Sequence, residues 1–287
     1  MNSTITRSPC TNFCAQGRVP VKTTGHGENM SAVSEEDRLR RTRLPALLDY
    51  AFRPMLLAAG SWAVIALARL AVGAPIVLIS VIGGGRIIPS FSRNWLFKRK
   101  SPRLPSPQGL LDTAAVALLT VALILWAFRP GHPITGALLI AAALLNAVQL
   151  GRWAGIASWP EPLLFMLHIG YGWVAAGTAL LGLSIFNLGV PAASAIHALT
   201  AGAIAVMILA VMTRVTLGHT GRDLIASRAT IAIFVLINVA AIARVCASWH
   251  TEFMTTLLFV AGACWIAAFV LFELVYGPML LSRRRAS

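Results

Sequence analysis

Apolar runs of about 20 residues recur along this chain, and each can cross the roughly 30 Å hydrocarbon core of a bilayer as one helix. "TAAVALLTVALILWAF" (Thr113 to Phe128) is a clear example. In lipid every backbone amide and carbonyl must find a partner within the protein, which restricts a spanning chain to helices or a closed barrel. The alternation of polar and apolar residues that marks a membrane barrel is absent. Composition agrees: 57% of the residues are hydrophobic and 12% are charged, with a mean hydropathy of +0.75. The expected fold class is all-α, a polytopic transmembrane helical bundle of about eight spans.

The spans are expected near 51–72, 75–92, 110–128, 134–151, 163–184, 192–214, 226–247 and 253–281. Gly73-Ala-Pro75 would then turn the chain between the first two. The second span is short and breaks into "GGGR" at Gly83 to Arg86. Residues 1–49 form a polar, basic segment without periodicity, read as a disordered cytoplasmic tail. Within it, Ser34-Glu-Glu-Asp37 resembles a capping box that opens a short helix over "RLRRTR". The transmembrane domain covers 50–282, and 283–287 is a second basic tail.

The net charge of +14 would suit nucleic acid if it formed one patch. It is instead divided among the tails, helix ends and a few loops, the pattern of topology signals and anionic-lipid contacts. Nucleic acid is therefore excluded as a partner, and membrane lipid is expected. Arg38 to Arg43, the loop from Arg93 to Arg103, Arg152, Arg214 to Arg228 and Arg283 to Arg285 all fall on one side of the bundle. The positive-inside rule makes that side cytoplasmic, with both termini there and the chain in the bacterial inner membrane.

Three of the six histidines are candidate ligands. His168 lies in "LLFMLHIGYGW", toward the cytoplasmic side, and His197 near the opposite surface. His219 follows the sixth span in a Gly-flanked polar loop. Between His197 and His219, 22 residues of helix would cover about 33 Å, so they cannot share one metal. An imidazole in a span is either a neutral group bonded to a neighbouring helix or a ligand for haem iron or copper. For His219 the alternatives are a solvated or phosphate-contacting side chain and a metal ligand.

"GGGRIIPSFSRN" (Gly83 to Asn94) joins Gly, Pro, Arg86 and Arg93 at a helix end and could hold an anion, or Arg86 could snorkel to headgroups. No Gly-Lys-Ser/Thr follows, so it is not a P-loop. Arg214 and Arg222 flank the His219 region in the same way. Cys10 and Cys14 have no second ligand pair, and Cys246 and Cys264 lie in spans. No paired carboxylates and no Ser-His-Asp or Cys-His arrangement point to acid–base or nucleophilic catalysis.

Four stretches resemble the NnrS family of haem- and copper-containing bacterial membrane proteins. They are "AFRP…SWA" (Ala51 to Ala63), "ISVIGGGRIIPSFSRNWL" (Ile79 to Leu96), "LHIGYGW" (Leu167 to Trp173) and "HALTAGAIAVMILAVMTRVTLGHTGR" (His197 to Arg222). The resemblance implies a part in nitric oxide metabolism or resistance to nitrosative stress, through metal-centred binding or electron transfer rather than hydrolysis. It implies His168 and His197 as haem-binding candidates and His168, His197 and His219 as metal-binding candidates, without assigning a metal to each. Members of the family are expected to carry about twelve spans. Here "SWA" and "ISVIGG" are nearly adjacent, as though about four helices with their own histidines were missing between them. Two other readings stay open: a transporter or channel for a small solute or anion that uses Arg86, and a remnant without cofactor.

Overall fold

The computed structural model describes residues 58–281. The helical bundle is the unit that begins at Ser61; of the preceding unit only residues 58–60, at the start of the first helix, are described. The expectations for the tails at 1–49 and 283–287, and for Cys10 and Cys14, lie outside the described residues.

Seven helices are long and apolar enough to cross a membrane. We label them α1 (Ala58–Lys98), α2 (Leu110–Phe128), α3 (Pro133–Arg152), α4 (Pro162–Ile185), α5 (Ala192–His219), α6 (Arg228–Cys246) and α7 (Thr251–Leu281). No strand occurs among the described residues. The all-α polytopic bundle read from the sequence is therefore the fold.

The boundaries follow local chemistry. Pro133 and Pro162 open α3 and α4 at positions where a missing N–H costs nothing. The Ser227 hydroxyl accepts from the Thr230 amide at 3.1 Å to cap α6. The Asp112 carboxylate accepts from the Gly109 amide at 2.8 Å at the start of α2. Gly221, at φ +67°, ends α5, and the Arg222 amide reaches back to the Leu217 carbonyl at 3.0 Å.

The expected turn at Gly73-Ala-Pro75 does not form. The two expected spans at 51–72 and 75–92 meet in one helix, α1, whose 41 residues reach about 62 Å. The helix runs on through Pro75, which forfeits one backbone hydrogen bond. Gly73 faces α2, where a Cβ would make an ordinary contact with Leu123 Cβ at 3.7 Å. The "GGGR" stretch is likewise continuous, wound as a π-helix over Ile79–Ile87.

Two apolar clusters fill the bundle. One gathers Ile88, Trp153, Leu163, Leu167, Leu217, Phe234 and Tyr276. The other gathers Ile76, Leu119, Trp126, Leu139, Val174, Leu181 and Leu199. Ile79 and Trp173 pack against both, so the clusters meet at the level where α1, α3 and α4 come together. Polar ties join the remaining helices: Ser194 Oγ donates to the Val245 carbonyl at 3.1 Å, and Thr230 and Tyr276 hydroxyls lie 2.6 Å apart.

Candidate functional site

A polar seam runs along the junction of α1, α3 and α4. Ser80, Gly84, Ile88 and Ser92 recur every four residues on α1 and face α4. His168 and Tyr171, three residues apart, share the facing side of α4. Gly84 makes the approach possible, because a Cβ there would stand 2.7 Å from Tyr171 Cε2.

At one end of the seam, Tyr171, Asn146, Gln149 and Ser80 form a cluster with each side chain at 0% exposure. The Tyr171 oxygen lies 2.6 Å from Asn146 Oδ1, 2.9 Å from Gln149 Oε1 and 3.1 Å from Ser80 Oγ. One phenolic proton cannot serve two amide oxygens. Turning the Gln149 amide over, a choice set by the network, lets it donate to the tyrosine while the tyrosine donates to Asn146. In either orientation one polar atom of this buried amide keeps no partner among the described residues. Asn146 is further held by its own donation to the Ala142 carbonyl at 2.7 Å.

At the other end stands His168, 5% exposed. Its Nδ1 is 3.1 Å from the Leu164 carbonyl, an acceptor only, so Nδ1 carries the proton of the neutral ring. The lone pair is then on Nε2. Ser92 Oγ approaches Nε2 at 3.2 Å but also lies 2.8 Å from the Ile88 carbonyl, and its single proton serves one of them. Trp153 packs edge-on against both His168 and Tyr171, with centroid distances of 6.4 and 4.7 Å, and joins the two ends of the seam.

His168 also lines a cavity of about 1140 Å³ together with Phe165, Trp173, Gly155, Arg103 and Arg152. Its walls are mainly apolar, with two guanidinium groups among the lining, which suits an apolar ligand bearing anionic groups. Gly155 packs directly against the imidazole: a Cβ at this position would fall 2.5 Å from His168 Cδ2 and 3.2 Å from Nε2. Ala154, just before it, takes left-handed backbone (φ 54°) to turn the chain from α3 into this loop.

The structure gives the other two histidines separate surroundings. His197 lines a cavity of about 340 Å³ between α5, α6 and α7 with Thr200, Arg244 and Trp265. His219, exposed at the end of α5, lines a third of about 540 Å³ with Phe91 and Arg214. The Arg214 guanidinium is stacked over Phe91 at 4.4 Å. Arg86 and Arg93 are exposed on α1 and line none of the three cavities. Arg222 is half-buried beyond α5, where its Nε has no partner among the described residues. No group of three or more His, Cys, Asp or Glu side chains able to hold a metal occurs among the described residues.

The model of the family described as NnrS protein matches residues 65–284. The chain belongs to the NnrS family. Comparison with curated proteins and with solved structures gave no match. The NnrS match runs from α1 to beyond the end of α7, so the whole seam and all three cavities lie within it. Sequence reading found His168 in this NnrS chain but not Ser92, Tyr171, Asn146, Gln149, Trp153 or Gly155 around it. Its available signals were two polar residues, Asn146 and Gln149, three apart in an otherwise apolar span, and the His-x-x-Tyr spacing of His168 and Tyr171.

Proposed function

We propose that this NnrS-family membrane protein acts in the response to nitric oxide, and that His168 would hold a haem in the cavity of about 1140 Å³. One observation carries the reading: His168, a neutral imidazole whose Nδ1 donates to the Leu164 carbonyl, lines a large and mainly apolar cavity. A haem needs only one such protein ligand, and Arg103 and Arg152 suit its carboxylates. Haem supplies, when bound, an iron centre with a position at which a diatomic ligand is taken up. The chain's own residues orient the imidazole through Leu164, exclude water through Trp153 and Phe165, and fix the cavity wall through the Tyr171 cluster.

Copper is a second proposal, at His219, where it would need donors beyond a single imidazole. His197 is the weakest ligand candidate of the three, since the Arg244 charge in the same cavity opposes a metal cation there. We place the protein in the bacterial inner membrane with the loops 99–109, 153–161 and 220–227 in the cytoplasm, because basic residues concentrate on that side. The His168 cavity then opens in the cytoplasmic half. Transport of a small anion is the rival reading, favoured by the Arg244 cavity rather than by the exposed Arg86.

The test is spectroscopic. Purified protein, reconstituted with haem, is reduced and exposed to nitric oxide. A Soret band that shifts on addition of the gas supports the proposal. A protein that takes up no haem, or whose haem spectrum ignores nitric oxide, overturns it.

A further inference from the structure

The cavity around His197 has a different chemistry from that of His168. It is lined by His197, Thr200 and Ala201 of α5, Ala240 and Arg244 of α6, and Leu258, Ala261, Gly262 and Trp265 of α7. Two of these side chains carry or can carry positive charge, and none is a carboxylate. Arg244 makes no hydrogen bond or ion pair with any described residue, so its five N–H donors are unspent. Half-buried near the end of a span and without a counter-ion among the described residues, this guanidinium has its donors available to an anion.

The backbone argues that this cavity is built. Directly after His197, α5 winds as a π-helix over Ala198–Ile204, a local widening that frequently accompanies functional sites. The widened turn contributes Thr200 and Ala201 to the cavity wall. It also turns Gly202 against Trp173, where a Cβ would meet the indole at 2.6 Å. The wide turn is thus wedged between Trp173 on one side and the cavity on the other.

We propose that Arg244 and His197 form a binding site for a small oxyanion, of the size and charge of nitrate, on the membrane face opposite the His168 cavity. A planar guanidinium matches the paired oxygens of such an anion. The cavity of about 340 Å³ holds it with several waters, each occupying about 30 Å³. Arg244 lies two residues before the end of α6, so the anion enters from the aqueous face without crossing the bilayer core. The site does not depend on a bound haem or on the proposed nitric oxide function.

A lipid phosphate offers similar oxygens, and the experiment separates the two sources. Protein in nanodiscs of zwitterionic phosphatidylcholine is titrated with sodium nitrate while tryptophan fluorescence is followed. Saturable quenching is expected, lost in Trp265→Phe and weakened about tenfold or more in Arg244→Gln. Arg244→Lys should retain part of the affinity, and His197→Gln should weaken it by a smaller factor, so the reading does not hang on one variant. A parallel arm measures phosphatidylglycerol retained through purification. Non-saturable quenching, affinity unchanged in both Arg244→Gln and His197→Gln, or Arg244-dependent retention of phosphatidylglycerol without nitrate binding would each overturn the proposal.

Discussion

Gly155→Ala should damage the His168 site directly, and the size of the effect follows from the distances. The added Cβ would stand 2.5 Å from His168 Cδ2 and 2.9 Å from Cγ, against ordinary carbon contacts of about 3.5–4.0 Å. The ring cannot easily retreat, because Leu164 and Ser92 hold its nitrogens at 3.1 and 3.2 Å and Trp153 packs on it. Overpacking of this kind costs about 1–3 kcal/mol, and a hydrogen bond broken in escaping it costs about 1 kcal/mol more. The expected destabilisation is thus about 2–4 kcal/mol. Gly151, at the end of α3 and lining the same cavity, is the matched control, since a Cβ there meets nothing within 4 Å. As a helical residue, Gly151→Ala should be neutral or stabilising by about 0.5–1 kcal/mol. Unfolding in mixed micelles, with detergent composition as the denaturing variable, measures both variants. Equal stability of the two would refute the close packing of Gly155 on His168.

Tyr171→Phe should destabilise the bundle by about 1–3 kcal/mol, because it strips the buried Asn146 and Gln149 amides of their common partner; the same titration measures it. Spin labels at Val64 and Arg86, both exposed, should lie about 33 Å apart along a continuous α1, whereas a hairpin at Gly73 would bring them to about 10 Å. Alkaline phosphatase fused after Gly189 should be active and fused after Arg103 inactive; the reverse pattern would invert the proposed orientation.

The helices were legible because lipid imposes them: a run of about 20 apolar residues has no other stable form. Residue types misled where tertiary packing decided the local conformation. Gly73-Ala-Pro75 reads as a turn by its residue types, yet the helix continues through it. "GGGR" reads as a flexible or anion-binding break, but Gly84 is small so that Tyr171 can fit against α1. His168 was visible as an ionisable residue in an apolar span. Its partners were not, since Ser92 comes from another helix and Gly155 acts through the side chain it lacks. The meeting of Arg244 with His197 depends on how α5 and α6 pack, which no local pattern carries.

The haem content per chain, measured by pyridine haemochrome on reconstituted protein, tests the central proposal most directly when wild type is compared with His168→Ala and His219→Ala. The His168 reading expects about one haem per chain in wild type and His219→Ala. It expects little in His168→Ala, with folding checked by circular dichroism. Undiminished haem in a folded His168→Ala protein, or equal loss from both variants, would contradict it.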